Sequence, residues 1–300
     1  MRLPNFFIIG APKCGTTSLA RWLSEHPNIY FSPVKEPFFY SKDIFQNFSS
    51  WENYRNLFSN VKDEHLAIGE GSTTYLYSKV AVKSIEDCID QPRYIIMVRN
   101  PVDMAHSLHH QQLVSFNENI EDFITAWRLS PERRRGNHLP AGSDRAKMLD
   151  LQSICKLGEQ VERVFDQVER NRVLVFSLDD LRDNPKKAYE NVLAFLQVPT
   201  DNRLEFPVYN PAKQWRSKWA GKLYQNLSRF IVYLRYQKGV LNIGSLGVLE
   251  PLKNRLVAYR RNDSLSQEIV DELQAYYSED VQKLSHLLNV DYSQKWHFNS

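Results

Sequence analysis

A glycine-framed loop near the start of the chain constrains its fold more than any other feature. The loop runs from Gly10 to Thr17 (GAPKCGTT) and separates the apolar run Phe6–Ile9 from a helical pattern over residues 16–25. A buried strand that leads into a helix through a glycine turn directs backbone N–H groups and the helix N-terminus at one point, where an anion binds. The sequence therefore predicts an α/β unit with an anion site at this turn.

Short apolar runs alternate with helical patterns along the rest of the chain. The other predicted strands are Ala67–Glu70, Tyr94–Val98 and Val173–Phe176, and the other predicted helices are 101–115, 120–129, 151–169, 185–196 and 264–288. This alternation is typical of βα units, so the predicted fold is α/β, with a central parallel sheet flanked by helices. Residues 1–300 are predicted to form one domain because no linker, repeat or low-complexity tract divides them.

Charge and cysteine content narrow the classes of partner and compartment. The formal net charge of +3 is too small to indicate a nucleic-acid partner. The three cysteines, Cys14, Cys88 and Cys155, are odd in number and lack metal-binding spacing, which favours free thiols and a cytoplasmic location. The short apolar run Phe6–Ile9 indicates neither a signal peptide nor an integral membrane segment. The oligomeric state stays open.

The first loop nearly matches the phosphate-binding pattern G-x-x-x-x-G-K-[ST]. Thr17 stands where that pattern has its hydroxyl residue, but Thr16 occupies the position of the lysine, and the loop's lysine is Lys13. Lys13, Thr16, Thr17 and Ser18 together supply one cation and three hydroxyl groups. The loop is therefore either an altered ATP site or an intact site for a different anionic donor.

A second candidate phosphate contact follows the predicted strand Tyr94–Val98. Arg99 ends this strand, and Asn100 and Pro101 are suited to begin a helix. Ser107 follows about two helical turns later. An arginine at the carboxyl end of a parallel strand faces the ligand crevice, and its planar fork suits a phosphate better than a lysine does. We interpret this segment as a second phosphate-binding element.

Together, "GAPKCGTTSL" and "YIIMVRNPVDMAHS" resemble the two cofactor signatures of sulfotransferases that use 3′-phosphoadenosine 5′-phosphosulfate. The similarity continues through "SPVKEPFFYSKD" and "RVLVFSLDDLRDNPKKAYENVLAFLQVP" and is strongest to the bacterial and carbohydrate-type branch, which includes the heparan sulfate enzymes. It implies the P-loop-like sulfotransferase fold. It also implies that Arg99 and Ser107 hold the 3′-phosphate, and that the 5′-phosphosulfate is held by Lys13, Cys14, Gly15, Thr16, Thr17 and Ser18. No metal is expected, because Thr17 need not serve Mg²⁺.

The resemblance also assigns catalytic roles for in-line transfer of the sulfo group, with adenosine 3′,5′-bisphosphate as the product. Lys13 stabilises the leaving group at the bridging oxygen. Glu36, in Lys35-Glu-Pro-Phe-Phe39, matches the catalytic base of heparan sulfate-type enzymes, and Glu70 is the alternative base. Where relatives carry a second lysine or a catalytic histidine, this chain has Gly71-Ser-Thr73. Lys35 is the candidate replacement for that lysine.

Later segments provide further candidate contacts. The resemblance places a basic segment on the nucleotide, and Lys213 and Arg216 are its candidates here. His109 and His110 are candidates for the acceptor pocket. His106 and His110 share a helix face, but no third ligand accompanies them, so no metal site is predicted.

The sequence leaves the acceptor open. The candidate acceptor group is a hydroxyl, on a carbohydrate, a lipid, or another small or carrier-bound molecule. An amine is less favoured. The basic cluster Arg133–Arg135 is a weaker candidate for contact with an anionic ligand, and the basic aromatic stretch 215–249 is a weaker candidate for peripheral membrane contact. Two other functions are weighed: a P-loop-type nucleotide kinase, and a catalytically silent module that binds a nucleotide or a glycan.

Overall fold

The structure is a computed structural model. It describes residues 2–48, 50–140, 146–209, 213–215, 217, 219–221, 223–224, 227, 257–259 and 264–298. The predicted nucleotide contact Arg216 and most of the basic aromatic stretch 215–249 lie outside the described residues, as does the side chain of Lys213.

A five-stranded sheet forms the centre of the fold. Its strands are β1 (Phe6–Gly10), β2 (Ile29–Phe31), β3 (Ala67–Gly71), β4 (Arg93–Val98) and β5 (Val173–Ser177), in the order β2-β3-β1-β4-β5. Every neighbouring pair is parallel, which confirms the predicted α/β architecture. The central strand β1 is buried at all five positions. After β1 the chain forms β2 and β3 on one side of β1, and it then forms β4 and β5 on the other side. In sheets with such a switch, ligands bind in the crevice between the carboxyl ends of the two strands at the switch, which here are β1 and β4.

The sequence analysis missed β2, an edge strand of three residues that pairs with β3 from Ile29 to Phe31. A run this short has no periodicity by which to recognise it. The other four strands lie where they were predicted and extend by one residue at one end.

Helices cover the sheet. They are α1 (Thr16–Ser24), α2 (Trp51–Asn56), α3 (Ala81–Glu86), α4 (Pro101–Val114), α5 (Phe123–Arg128), α6 (Ser130–Arg134), α7 (Leu151–Ile154), α8 (Leu157–Phe165), α9 (Leu178–Asp183), α10 (Pro185–Leu196), α11 (Gln267–Leu288) and α12 (Tyr292–Lys295). Short 3₁₀ turns lie at Ala146–Leu149 and Arg170–Arg172, and β6 (Lys213–Trp215) pairs antiparallel with β7 (Val257–Tyr259).

The predicted helix over 151–169 is in fact two helices, α7 and α8. A carboxylate from a distant part of the chain caps the start of α8. Asp280 of α11 accepts hydrogen bonds from the backbone N–H groups of Gly158 and Glu159, both at 2.8 Å, in the first turn of α8. A carboxylate at this end of a helix satisfies N–H groups that have no partner within the helix. Local sequence cannot reveal a cap supplied from more than a hundred residues away.

The arginine cluster forms ion pairs within the protein. Arg133 and Glu118 pair at 2.5 Å with both side chains buried, Arg134 pairs with Asp150 at 2.7 Å, and Arg135 pairs with Glu132 at 2.6 Å. Arg133 is therefore not available to an anionic ligand, whereas Arg134 and Arg135 are 51% and 69% exposed, and an anionic ligand at these two stays a prediction.

The three cysteines are free thiols: Cys14 and Cys155 are buried and Cys88 is exposed. Among the helices that the structure describes, none has both the length and the apolar character needed to cross a bilayer. The cytoplasmic location stays a prediction.

Candidate active site

The loop after β1 is fixed by its backbone geometry. The N–H of Ala11 donates to the carbonyl oxygen of Met97 in β4 at 2.8 Å, which ties the loop to the neighbouring strand. Gly15, immediately before α1, has φ +86°, and a Cβ atom there would lie 2.7 Å from Cδ1 of Leu178. The turn therefore requires glycine both for its left-handed conformation and for the close approach of α9.

A cavity of about 710 Å³ lies over the carboxyl ends of β3, β1 and β4. It brings together residues that the sequence analysis selected from three separate segments: Lys13, Gly15, Thr16, Thr17, Ser18, Lys35, Glu36, Arg99 and Ser107. Because adjacent parallel strands end at the same edge of the sheet, the loop after β1 and the residue after β4 become neighbours despite their separation in sequence.

Arg99 connects the second motif to the first loop. Its Nη1 donates to the backbone carbonyl oxygen of Lys13 at 3.1 Å, and its Nη2 lies 3.5 Å from a carboxylate oxygen of Asp103. Its Nε is buried and has no hydrogen-bond partner among the described residues. The guanidinium is partly exposed, with 16% of the side chain accessible, and it lines the cavity, so its planar fork suits an anionic ligand there.

Lys13 is the cation of the loop. Burial lowers the pKa of its ammonium group, and the neighbouring positive charge of Arg99 lowers it further, while Glu36 opposes the shift. Two cations that repel each other in one cavity wall are stabilised together by a bound anion. This electrostatic arrangement matches a ligand that carries phosphate or sulfate groups.

Glu36 is held in an uncommon backbone conformation, with φ +64°. Its Oε1 accepts hydrogen bonds from Nζ of Lys35 at 2.9 Å and from Oγ1 of Thr73 at 3.0 Å. Its backbone N–H donates to the carbonyl oxygen of Gly71 at 2.8 Å, and its own carbonyl oxygen accepts from the Asn47 side chain at 3.0 Å. The side chain is 29% exposed, so a carboxylate with fixed orientation faces the cavity with access to solvent.

Glu70, His109 and His110 are not among the described residues that line this cavity. Glu70 is fully buried, and burial raises the pKa of its carboxyl group to about 7, with a smaller opposing effect from three hydroxyl hydrogen bonds. His109 is buried and its Nε2 lies 2.9 Å from the carbonyl oxygen of Ile120. On α4 the cavity is lined by Ser107 and Gln111, four residues apart, and helical geometry places His109 on the opposite side of the helix.

Cys14 contributes to the loop through its backbone. Its buried thiol donates to the carbonyl oxygen of Pro12 at 3.5 Å and lies 3.9 Å from the sulfur of Met104. Burial raises the pKa of the thiol to about 12, so it is protonated at neutral pH. Its side chain is not among the described groups that line the cavity.

One wall of the cavity was missed by the sequence analysis. Its residues come from α9 and from the segment before residue 210: Leu178, Leu181, Arg182, Phe206, Val208 and Tyr209. Trp22 of α1 is only 2% exposed, yet it also lines the cavity, and its Nε1 donates to the carbonyl oxygen of Pro207 at 3.0 Å. The backbone N–H of Tyr209 donates to Oγ of Ser18 at 3.1 Å. Contacts across about 190 residues leave no local sequence pattern.

The arrangement combines an anion-binding loop, a paired lysine and arginine, hydroxyl donors and one partly exposed carboxylate. Within the described part of the chain, no group of three or more histidine, cysteine, aspartate or glutamate side chains has the geometry of a metal site. The site is equipped to hold a ligand with two separated anionic groups and to accept a proton beside it.

Comparison with known proteins gives a consistent result. Residues 3–226 match the family described as "Sulfotransferase domain". The mouse bifunctional heparan sulfate N-deacetylase/N-sulfotransferase 4 is 25% identical over 228 residues, covering 70% of this chain and 24% of the relative. Human carbohydrate sulfotransferase 15 is 29% identical over 164 residues, covering 40% of this chain and 29% of the relative. The matched region is thus about a quarter of the length of these relatives.

Among solved structures, a sulfotransferase from Alicyclobacillus acidocaldarius is similar over nearly the whole length of both chains. The match has a TM-score of 0.71 and 25% sequence identity, and it covers 98% of this chain and 99% of the other. This similarity confirms the predicted P-loop-like fold.

Proposed function

Because this chain belongs to the sulfotransferase family, whose domain covers residues 3–226, we propose that it transfers a sulfo group from 3′-phosphoadenosine 5′-phosphosulfate to an acceptor hydroxyl or amine. One observation carries the proposal. The loop with Lys13, the segment with Glu36 and the segment with Arg99 and Ser107 line one cavity. These are the segments that a donor with a phosphosulfate at one end and a 3′-phosphate at the other requires.

The donor-binding residues fall into two groups. We propose that Lys13, the backbone of Cys14 and Gly15, and the hydroxyls of Thr16, Thr17 and Ser18 hold the phosphosulfate. Arg99 and Ser107 are proposed to hold the 3′-phosphate. The position of Arg99 in the cavity wall and the lowered pKa of Lys13 support the fit, because a bound anion stabilises both cations.

The donor, when bound, supplies an activated sulfo group on a phosphate leaving group. Lys13 is proposed to stabilise the negative charge that develops on the leaving oxygen, which is where a preorganised cation lowers an activation barrier most. Positive charge from Lys13 and Arg99 makes a metal ion unnecessary in this proposal. Lys213 and Arg216 stay predictions as additional nucleotide contacts.

Glu36 is the proposed general base. A base must be within hydrogen-bond reach of the acceptor, and Glu36 lines the cavity, whereas Glu70 is fully buried behind it. Lys35 and Thr73 orient the Glu36 carboxylate through its Oε1. Lys35 therefore contributes to the site by orienting the general base. That it also takes the place of the second catalytic lysine found in relatives stays a prediction.

A glycan is the acceptor class that we propose. The support is the identity of two relatives, which are described as a heparan sulfate N-sulfotransferase and a carbohydrate sulfotransferase. The first of these descriptions makes an amine acceptor as reasonable as a hydroxyl. Lipid alcohols and carrier-bound alcohols belong in the same test.

The test has two stages. Calorimetry first compares binding of adenosine 3′,5′-bisphosphate with binding of ATP and Mg²⁺. Transfer of radiolabelled sulfo groups is then measured on N-desulfated heparan, chondroitin, a long-chain alcohol, a carrier-bound hydroxyacyl group and a phenol. We expect Lys13→Ala and Glu36→Gln each to lower the rate by about a hundredfold or more, but only Lys13→Ala to weaken bisphosphate binding.

Three results would contradict the proposal. Failure of the folded protein to bind adenosine 3′,5′-bisphosphate would remove its basis. Phosphoryl transfer from ATP with Mg²⁺ would identify a kinase. Bisphosphate binding without turnover on the acceptor panel would identify a silent nucleotide-binding module.

A further inference from the structure

A buried carboxylate lies behind the proposed base. Glu70, in β3, has no exposed surface and accepts three hydroxyl hydrogen bonds. Ser72 donates to Oε1 at 2.6 Å, and Tyr54 and Tyr75 donate to Oε2 at 2.8 Å and 3.2 Å. Among the described residues no cation forms an ion pair with it. Burying a carboxylate without a cation beside it costs free energy, so we ask what its three hydrogen bonds hold in place.

The direction of these hydrogen bonds determines what two of the hydroxyls can do next. A hydroxyl has one hydrogen to donate and two lone pairs to accept with, and a carboxylate in its ionised form, which Glu70 takes above about pH 7, only accepts. Ser72 and Tyr75 therefore use their hydrogens on Glu70 and present lone pairs elsewhere. Oγ of Ser72 accepts from the backbone N–H of Phe38 at 3.0 Å, and the hydroxyl oxygen of Tyr75 accepts from the backbone N–H of Tyr40 at 3.2 Å.

Both amides belong to the segment that begins with Glu36. Within it, Glu36 has φ +64° and Phe38 has φ +52°, values in the left-handed region that side-chain-bearing residues disfavour by about 1 kcal/mol or more each. Such a conformation persists only when surrounding bonds hold it. The bonds to Phe38 and Tyr40 are two of them, and the bond from the Glu36 N–H to Gly71 is a third.

We propose that Glu70 is a positioning residue for Glu36: its carboxylate aligns the Ser72 and Tyr75 hydroxyls so that they hold the backbone of residues 36–40, and with it the side chain of Glu36, at the cavity. The inference rests on the proposed role of Glu36 as the base. It assigns Glu70 a function without contact to the acceptor and explains how a residue excluded from the cavity still affects the reaction.

Glu70→Gln is the informative substitution. Glutamine has nearly the same shape, but its amide nitrogen donates where the carboxylate accepted, so one or more hydroxyls must turn their hydrogens away. A Ser72 or Tyr75 hydroxyl that turns its hydrogen away from residue 70 is no longer held in the orientation in which it accepts from the backbone N–H of Phe38 or Tyr40. The network then loses its alignment while the cavity keeps its charged groups.

Amide hydrogen exchange tests the positioning without any assumption about the reaction. In Glu70→Gln and in Ser72→Ala, exchange of the Phe38 amide should accelerate by about tenfold or more, with exchange in β4 unchanged. Tyr54→Phe is the matched control, because Tyr54 also donates to Glu70, whereas the Phe38 and Tyr40 N–H groups donate to Ser72 and Tyr75 instead. It should alter the Phe38 and Tyr40 amides by less than about threefold.

Kinetics test the consequence for the reaction. With the acceptor identified as above, Glu70→Gln should lower kcat by about tenfold or more while the Kd for adenosine 3′,5′-bisphosphate stays within about twofold. Glu70→Gln and Ser72→Ala should not be additive in the double variant, because both act through one hydrogen-bond chain.

Unchanged exchange at Phe38 and Tyr40 in folded Glu70→Gln overturns the proposal, and so does equal acceleration in β4, which would show a general loss of stability. Should Glu70→Gln not fold, Glu70→Asp answers the same question, because its shorter side chain withdraws the carboxylate from Ser72 and Tyr75 while both hydroxyls stay in place. Failure of the wild-type protein to bind the bisphosphate or to transfer a sulfo group contradicts the proposed function instead, and the exchange results remain interpretable.

Discussion

Nη1 of Arg99 donates to the backbone carbonyl oxygen of Lys13 across 3.1 Å, which joins the two phosphate-binding elements by a direct bond. The two residues are 86 positions apart in the sequence. The guanidinium that is proposed to hold the 3′-phosphate thus also supports the loop that is proposed to hold the phosphosulfate. Damage to Arg99 should weaken both halves of the donor site.

Arg99→Lys tests this coupling, because lysine keeps the charge but loses the planar fork. We expect the affinity for adenosine 3′,5′-bisphosphate to fall by about tenfold to a hundredfold in calorimetry. Arg172→Lys is the matched control: Arg172 is similarly buried, with 13% of its side chain exposed against 16% for Arg99, and it pairs with Glu86 outside the cavity. It should leave the affinity within about twofold, and an equal loss in both variants would contradict the coupling.

Lys13 predicts proton uptake when the donor product binds. Burial and Arg99 lower the pKa of the Lys13 ammonium in the free protein, so part of the population loses its proton at a lower pH than an exposed lysine does. A bound dianion raises that pKa again. Binding of adenosine 3′,5′-bisphosphate at alkaline pH should therefore take up a measurable fraction of a proton, because the ligand's phosphates are already ionised there.

Calorimetry in buffers of different ionisation enthalpy measures this uptake. Lys13→Arg is the control, since a guanidinium stays protonated at that pH. Uptake that persists unchanged in Lys13→Arg would assign the proton to another group.

Substitution of Gly15 should lower ligand affinity, and a second glycine allows this effect to be separated from general backbone strain. Gly15→Ala places a Cβ atom at φ +86°, within 2.7 Å of Leu178, so the loop must shift. Gly136 also has a left-handed φ, +90°, but a Cβ atom there meets nothing within 4 Å. Both alanine variants should lose about 1 kcal/mol of stability from backbone strain. Bisphosphate affinity should fall by about tenfold or more in Gly15→Ala alone; equal affinities would contradict the role of the turn.

The central sheet and the loop site were largely predictable because their signals are local. A glycine turn between an apolar run and a helix, and an arginine at the end of another apolar run, are patterns within about ten residues. Parallel-sheet geometry then brings their carboxyl ends together. The predicted helix 185–196 has the observed bounds of α10, since Asn184 caps it and Pro185 begins it.

Other features depend on contacts between distant segments. The Asp280 cap that separates α7 from α8, the wall formed by Trp22 and Phe206, and the Glu70 network behind Glu36 each join side chains that no local pattern relates. A carboxylate at the end of a strand was a reasonable candidate base from its residue type. Only the three hydroxyl bonds and full burial show that Glu70 faces the core and not the cavity.

Glu70 also predicts a specific dependence of stability on pH. Burial raises the pKa of its carboxyl group in the folded protein from 4.5 to about 7. Between these values the folded state binds more protons than the unfolded state. The free energy of unfolding should therefore decrease as the pH rises through this window, by up to about 3 kcal/mol, and change no further from this group above it.

Urea unfolding of wild type and Glu70→Gln at pH 5 and pH 8 isolates this contribution, because the other titrating groups are common to both proteins. From pH 5 to pH 8, the free energy of unfolding of wild type should fall by about 3 kcal/mol more than that of Glu70→Gln. The comparison uses only these two changes, so it does not depend on how stable the variant is at either pH. A difference that stays constant, or that grows in favour of wild type at pH 8, would show that Glu70 is ionised throughout this range. The hydroxyl donors of Ser72, Tyr54 and Tyr75 would then outweigh the cost of burial.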